Sequence, residues 1–142
     1  IIGAPSAVML KKTKYLFNPH LIWLVDIEFY YRYLKNNSNI NFTSKALVVT
    51  FDDDSRITNS CINNKCIEIP EHLYLMHIHT IFNYQALNVI INLCLRLQVN
   101  TFEQIRECGY KGELNWRFRI LFILKMNSIY RIYAKLRRRI FY

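Results

Sequence analysis

The sequence lacks any apolar run of the roughly 18 to 20 residues that a membrane-spanning helix needs. Asn88 and Asn92 interrupt the apolar stretch 86–95, and the run Ile120–Leu124 is short. Internal repeats and low-complexity linkers are also missing from the chain. A transmembrane protein, a repeat protein and a tethered multi-domain chain are therefore not predicted.

A cysteine framework is missing as well. The four cysteines are Cys61, Cys66, Cys94 and Cys108. Cys61 and Cys66 are close enough in sequence for a local disulfide, but no signal peptide is visible, so we expect reduced thiols. His77 and His79 flank a single isoleucine with no second pair of ligands nearby, so no zinc site is predicted.

Acidic residues are missing from the C-terminal stretch 114–142. The whole chain carries 19 Lys and Arg against 10 Asp and Glu, a formal charge of +9. Eight basic residues lie in this stretch, namely Arg117, Arg119, Lys125, Arg131, Lys135, Arg137, Arg138 and Arg139. Subtracting these eight from +9 leaves +1 for residues 1–113, so the tail carries the basicity. It fits a solvated amphipathic helix, a helix on an anionic membrane, or a nucleic-acid-binding segment, although no nucleic-acid-binding module is recognisable.

What is present is a chain that folds, because 52% of its residues are hydrophobic and 15% are aromatic. We predict a strand over Ser6–Lys12, a helix from Asp26 to about Leu34, and a strand over Ala46–Phe51. A loop is expected over Ser55–Lys65. Two strands are too few for a self-sufficient sheet, so the chain is expected to lack an upstream part, in keeping with its start at Ile1 and not at Met.

Helices are predicted for the rest of the chain. Pro70 is placed in the first turn of a helical region that continues, in two segments, to about Leu97. Thr101 and Gln104 have the spacing of a capping box, and Gly109 is expected to end that helix. From Phe118 onward the apolar residues recur with a period near 3.6, to which Lys125 is an exception.

Asp26 is the strongest candidate for chemistry. It follows the apolar residues 23–25 at the start of a predicted helix, where packing anchors a carboxylate that can still face a cleft. Such a group can act as a general base. An Asp at this place also serves simply as a helix cap, and the spacing alone leaves both interpretations open. Glu28 and Arg32 are expected to form an ordinary surface pair.

Two segments resemble the acceptor-side half of inverting family-2 glycosyltransferases, and they read IGAPSAVMLKK (residues 2–12) and LIWLVDIEFYYR (residues 21–32). That family has a glycine turn into a strand, then an acidic motif, commonly Glu-Asp, that starts a helix with an Arg one to two turns later. Val25 stands here in place of the common Glu. ITNSC (57–61) and IEIPEH (67–72) resemble a bacterial subgroup of the same family.

The resemblance covers residues 1 to about 75 and implies an α/β fold, a partial GT-A domain. On this interpretation residues 1–75 are the acceptor-side half, the nucleotide-binding half is absent, and residues 76–142 are a helical, basic C-terminal extension. The full enzyme would transfer a sugar from a nucleotide-sugar to a glycan or lipid-linked acceptor with inversion, in cell-surface polysaccharide synthesis. The 142-residue chain alone is expected to be inactive.

Site residues follow from the same resemblance. Asp26 is the matched base, and Arg56 a weaker candidate for the donor diphosphate. The acceptor side would be formed by Gly3, Ala4, Pro5, Ser6 and Trp23. For Trp23 plain core packing is the alternative. Mg²⁺ or Mn²⁺ is expected in the full enzyme with its ligands mostly outside this chain, because Asp52, Asp53 and Asp54 come too late in the order of motifs and are interpreted as a solvated turn.

The expected partners are the nucleotide-sugar, the acceptor and an anionic membrane surface contacted by residues 114–142. The expected location is the cytoplasm, peripheral to the inner face of the cell membrane. The alternative from another functional class is a non-enzymatic basic helical module that binds membrane or nucleic acid.

Overall fold

A computed structural model describes residues 8–37, residue 41 and residues 57–127. The chain divides into two units, Ile1–Cys61 and Ile62–Tyr142. Each unit is described by itself below.

The first unit contains an irregular segment from residue 8 that leads into helix α1 (Val25–Asn36), and then the short helix α2 (Ile57–Cys61). Phe29 and Tyr30 are buried on one face of α1. The apolar spacing predicts a face of residues 27, 30, 31 and 34, and of these Ile27 and Tyr31 are exposed, so the buried face is rotated from the predicted one. The helix ends where the side-chain amides of Asn36 and Asn37 donate to the carbonyls of residues 32 and 33. The predicted helix is thus confirmed, with an end at the asparagine-rich segment.

The second unit is built from four helices, α3 (Lys65–Ile78), α4 (Tyr84–Arg96), α5 (Phe102–Glu107) and α6 (Trp116–Met126). All four begin at a polar residue whose side chain accepts a backbone N–H of the first turn. The four capping residues are Asn64, Asn83, Thr101 and Asn115. Thr101 and Gln104 form the predicted reciprocal capping box. The local sequence therefore determines where these four helices begin.

Helices α3, α4 and α5 end in the same way. The residues that follow their last turns, Thr80, Gln98 and Gly109, have φ values of 55°, 58° and 97°. In each case the next amide bonds back to a carbonyl five residues earlier, as from Ile81 to Met76 at 2.9 Å. This is the Schellman arrangement, in which a left-handed residue closes the helix. Gly109 ends α5 as predicted.

The core of the second unit lies where α4 packs between α3 and α6, with α5 against α3. Its most deeply buried residues are Ile69, Leu73, Leu87, Ile91, Cys94, Val99, Ile105, Phe118 and Phe122. The rings of Phe118 and Phe122 are 5.5 Å apart, and Phe102 lies 5.0 Å from Phe122. Helix α6 is therefore part of this core and not an appendage to it.

The predicted α/β class is wrong. In residues 8–37, 41 and 57–127 the regular elements are all helices, and no strand or sheet is present. Val8, Met9 and Leu10 were expected in a strand, but they have no regular secondary structure, and Met9 is almost fully exposed. A strand needs a second backbone to satisfy its amides, whereas a helix satisfies its own. The predicted strand 46–51 lies outside the described residues.

Two local predictions are also wrong. Part of the expected loop 55–65 is helix α2, and α3 begins at Lys65, so Pro70 lies inside this helix and not in its first turn. Asn64 starts α3 early because its side chain accepts the amide of Cys66. The predicted boundary at residue 75 falls within α3, and the division of function at that point stays a prediction.

Across the described residues, no helix combines the length and the apolar character needed to cross a membrane.

Candidate functional site

Asp26 lies in the first turn of α1, one residue after the helix begins. It is half-buried, and its Oδ1 accepts the backbone N–H of Ile27 at 2.9 Å. Leu24, and not Asp26, occupies the capping position and makes no side-chain cap. The carboxylate therefore keeps an accessible edge at the positive end of the helix, where a negative charge is favoured.

Tyr30 is a neighbour of Asp26 one turn along α1. Burial raises the pKa of the Tyr30 hydroxyl, and the negative charge of Asp26 raises it further. At neutral pH this hydroxyl therefore stays protonated.

Glu28 and Arg32 form an ion pair on α1 in which the carboxylate is buried and the guanidinium side chain is half-buried, so the expectation of an ordinary surface pair is wrong. Glu28 is only 2% exposed. Arg32 donates to both carboxylate oxygens, from Nε to Oε1 at 2.6 Å and from Nη2 to Oε2 at 2.8 Å. This fork geometry is the strong form of an arginine–carboxylate contact, and it raises the pKa of Arg32.

The same guanidinium holds the segment that precedes the helix. Arg32 Nη2 also donates to the backbone carbonyl of Leu16 at 2.6 Å, and the group lies over the Tyr15 ring, 5.8 Å from its centre. The Phe17 ring is 4.8 Å from Phe29. We call Glu28, Arg32 and the Leu16 carbonyl the arginine clamp. It fixes the segment before α1 against the helix that carries Asp26.

The other predicted site residues are placed as follows. Trp23 is half-buried, two residues before the start of α1, and its role as a sugar-stacking wall stays a prediction. Gly3, Ala4, Pro5, Ser6 and Arg56 lie outside the described residues, as do Asp52, Asp53 and Asp54. The described structure therefore places Asp26 and the side chains of the arginine clamp on the same helix, α1.

Sequence reasoning missed a second buried acid, in the second unit. Glu68 is buried in α3 and accepts the backbone N–H of Asn63 at 2.6 Å and Arg96 Nη2 at 2.7 Å. Arg96 is in the last turn of α4, so the pair ties two helices together. Glu68 and Arg96 are too far apart in the sequence for a local pattern to reveal that they pair. We interpret it as structural, because both oxygens are engaged.

Lys125, the exception in the apolar pattern, has a structural explanation. Its Nζ donates to the side-chain oxygens of Asn88 and Asn92 on α4. Burial lowers the pKa of Lys125. The two asparagines that interrupt the apolar stretch of α4 are thus the partners of this lysine.

Three cysteines of the second unit differ in exposure. Cys66 is exposed, whereas Cys94 and Cys108 are buried, and all are free thiols. Burial raises the pKa of Cys94 to about 12. Burial and a hydrogen bond with Cys66 raise the pKa of Cys108 to about 11. The expectation of free thiols is confirmed for the four cysteines.

We expect alkylation to separate these thiols. The thiolate is the reacting species, so at pH 8 only roughly one Cys108 thiol in a thousand is in reactive form, and fewer of Cys94. Iodoacetamide should therefore label Cys66 first, and labelling of Cys108 should accelerate as the pH rises toward 11. Peptide mass mapping of the native chain, with a urea-unfolded sample as control, measures this order. Equal labelling of Cys66 and Cys94 in the native chain would contradict the burial.

A metal site is not formed by the described residues: they contain no group of three His, Cys, Asp or Glu side chains arranged to hold an ion. In comparisons with known proteins, no family model, no curated protein and no solved structure matches the chain.

Proposed function

We propose that this chain is the acceptor-binding part of an inverting glycosyltransferase that uses a nucleotide-sugar donor. The observation that carries the proposal is the position of Asp26, half-buried in the first turn of α1 with Arg32 further along the same helix. This is the arrangement that the resemblance implies for the base and its arginine. The proposal concerns the activity of the full protein and requires no sheet among the described residues.

The chemistry assigned to Asp26 is proton removal from an acceptor hydroxyl. As the hydroxyl oxygen attacks the anomeric carbon of the donor, its proton passes to a carboxylate oxygen of Asp26, and the bond to the nucleotide diphosphate breaks on the opposite face. A single in-line displacement of this kind inverts the configuration. The helix N-terminus favours a negative charge at this position, and a carboxylate there can accept the proton.

The arginine clamp has a positioning role in this proposal. Arg32 satisfies the buried carboxylate of Glu28 and holds the Leu16 carbonyl, so the segment before α1 has a fixed path. General-base catalysis requires the base within hydrogen-bonding reach of its proton, and small displacements are costly. The clamp thus supports the geometry of Asp26 without touching the substrate.

Exposed apolar side chains in the first unit also support the proposal. Met9, Leu16, Phe17, Ile22 and Ile27 are all more than half exposed. Burying such side chains against further protein would be favourable, and we assign that contact to the donor-binding half of the enzyme. The donor's divalent cation is proposed to bind there, and the enzyme to work in the cytoplasm at the inner face of the membrane.

The test is turnover by the protein expressed from its full reading frame. Asp26→Asn should lower the rate of sugar transfer by about 10²- to 10⁴-fold, the usual contribution of a general base, with donor binding unchanged. Transfer is followed by release of the nucleoside diphosphate and by the mass of the extended acceptor.

Glu103→Gln is the matched control, since Glu103 is an exposed acid in the first turn of α5. It changes the charge at a helix N-terminus as Asp26→Asn does, and should leave turnover intact. Unchanged turnover in Asp26→Asn would reduce Asp26 to a helix-terminal acid and remove the proposal's main support.

A further inference from the structure

Helix α6 is apolar on two opposite faces. Phe118 and Phe122 point into the core of the second unit and are essentially inaccessible to water. On the outer side Trp116, Ile120, Ile123 and Leu124 are each half or more exposed. At 3.6 residues per turn these four lie within about 100° around the helix axis, so they form one continuous strip. We call them the outer stripe.

Arginines border the outer stripe on both sides. By the same geometry Arg117 falls beside Leu124, and Arg119 falls on the far edge beside Ile123. The Arg117 guanidinium lies 5.3 Å from the centre of the Trp116 ring, and Arg119 lies 5.5 Å from that of Phe102. Both arginines are exposed, and among the described residues neither forms an ion pair with an acidic side chain. Lys125 points the other way, toward α4.

A strip of Trp, Ile and Leu between two arginines has the chemistry of a helix that lies in a membrane interface. The apolar side chains enter the acyl boundary while the guanidinium groups stay level with anionic head groups. Trp is the side chain that favours this interface most clearly. Residues 114–142 carry eight basic and no acidic residues, which provides the matching long-range attraction.

We propose that the outer stripe of α6 docks the protein on the surface of an anionic lipid bilayer, with α6 parallel to it. Charge complementarity selects this occupant over a second copy of the chain, because two copies would bring like charges together. Glu103 is the acid that borders the surface, since it lines the groove of about 440 Å³ that also includes Ile123 and Phe122. The inference does not depend on the role of Asp26.

The experiment is co-sedimentation of the purified 142-residue chain with vesicles of phosphatidylcholine, with and without phosphatidylglycerol. Binding is expected only to the anionic vesicles and should weaken as salt is added. Ile120→Asp combined with Ile123→Asp should lower the partition coefficient about tenfold or more, and Arg117→Gln with Arg119→Gln by a similar factor. Because these side chains are exposed, circular dichroism should show the native helix content. Ile120→Ser is a milder variant with the same expected direction.

Matched controls change equivalent groups elsewhere. Ile62→Asp places the same charge on an exposed isoleucine outside α6, and Lys111→Gln removes an exposed positive charge before the helix. Both should bind like the wild type. In a Trp23→Phe background the emission of Trp116, then the single tryptophan, should shift to shorter wavelength when anionic vesicles are added.

Three results would overturn the proposal. If the stripe variants bind vesicles as well as the wild type does, the affinity comes from the basic residues 128–142 and not from α6. A concentration-dependent dimer that the stripe variants abolish, without vesicle binding, would make a second copy the occupant. Displacement from vesicles by an oligonucleotide, with loss of oligonucleotide binding in the stripe variants, would make it a nucleic-acid surface.

Discussion

Replacing Arg32 with alanine is expected to lower the free energy of unfolding of the first unit by about 2–4 kcal/mol. The variant leaves the buried carboxylate of Glu28 without its guanidinium partner and releases the Leu16 carbonyl. A buried charge that loses its partner is costly, because desolvation is no longer compensated. The expected loss of unfolding free energy is smaller than for a fully buried ion pair, because the Arg32 side chain is 29% exposed.

Tryptophan fluorescence can isolate the first unit. The chain has two tryptophans, Trp23 in the first unit and Trp116 in the second. In a Trp116→Phe background, urea unfolding followed through Trp23 reports the stability around the arginine clamp. Lys35→Ala is the control, because it removes an exposed basic side chain from the last turn of the same helix. Equal losses in Arg32→Ala and Lys35→Ala would mean that the clamp contributes no special stability.

Replacing Phe118 with alanine is expected to cost the second unit about 3–5 kcal/mol, enough to unfold much of it. Phe118 is fully buried, and its ring contacts that of Phe122 in a tilted arrangement in the core. Removing it leaves a cavity at the contact of α6 with α4, which the surrounding side chains fill only in part. Deletion of residues 114–142 would unfold the unit for the same reason, so point variants are the appropriate probes of the tail.

Ile120→Ala is the matched control on the same helix, because Ile120 is half exposed on the outer stripe. Its loss should stay below about 1 kcal/mol. Urea unfolding followed by far-ultraviolet circular dichroism measures both variants, since the helices of the second unit supply most of the signal. Comparable losses at positions 118 and 120 would contradict the assignment of the inner and outer faces of α6.

The helices of this chain are largely readable from local sequence. Four helices are capped by a side chain that accepts the backbone amide two or three residues further on, at Asn64, Asn83, Thr101 and Asn115. Neighbouring residues therefore determine where each of these helices begins. The capping box at Thr101 and the stop at Gly109 were predicted for this reason. Pro70 misled the prediction, because proline favours a first turn while the Asn64 cap had already started the helix.

The strand prediction failed for a non-local reason. Residues 8–10 have the composition of a strand, but whether they form one depends on a partner backbone from elsewhere in the chain. In the structure this segment is instead held by α1, through the hydroxyl of Tyr33, which accepts the amide of Lys11. Of the candidate site, Asp26 at the helix start was predictable, whereas the buried state of its neighbour Glu28 was not.

The sequence by itself determined the periodicity of the helices, their caps and the four-residue spacing of Glu28 and Arg32, because these depend on residues within one or two turns. Only the tertiary structure decided that Glu28 is buried, that Glu68 pairs with Arg96, and that a second apolar strip of α6 stays exposed. The period near 3.6 includes Phe118 and Phe122, whereas Ile120 is equally apolar but falls outside it. Packing against α4 withdraws Phe118 from water and leaves Ile120 exposed, since burial depends on which distant residues arrive to cover a side chain.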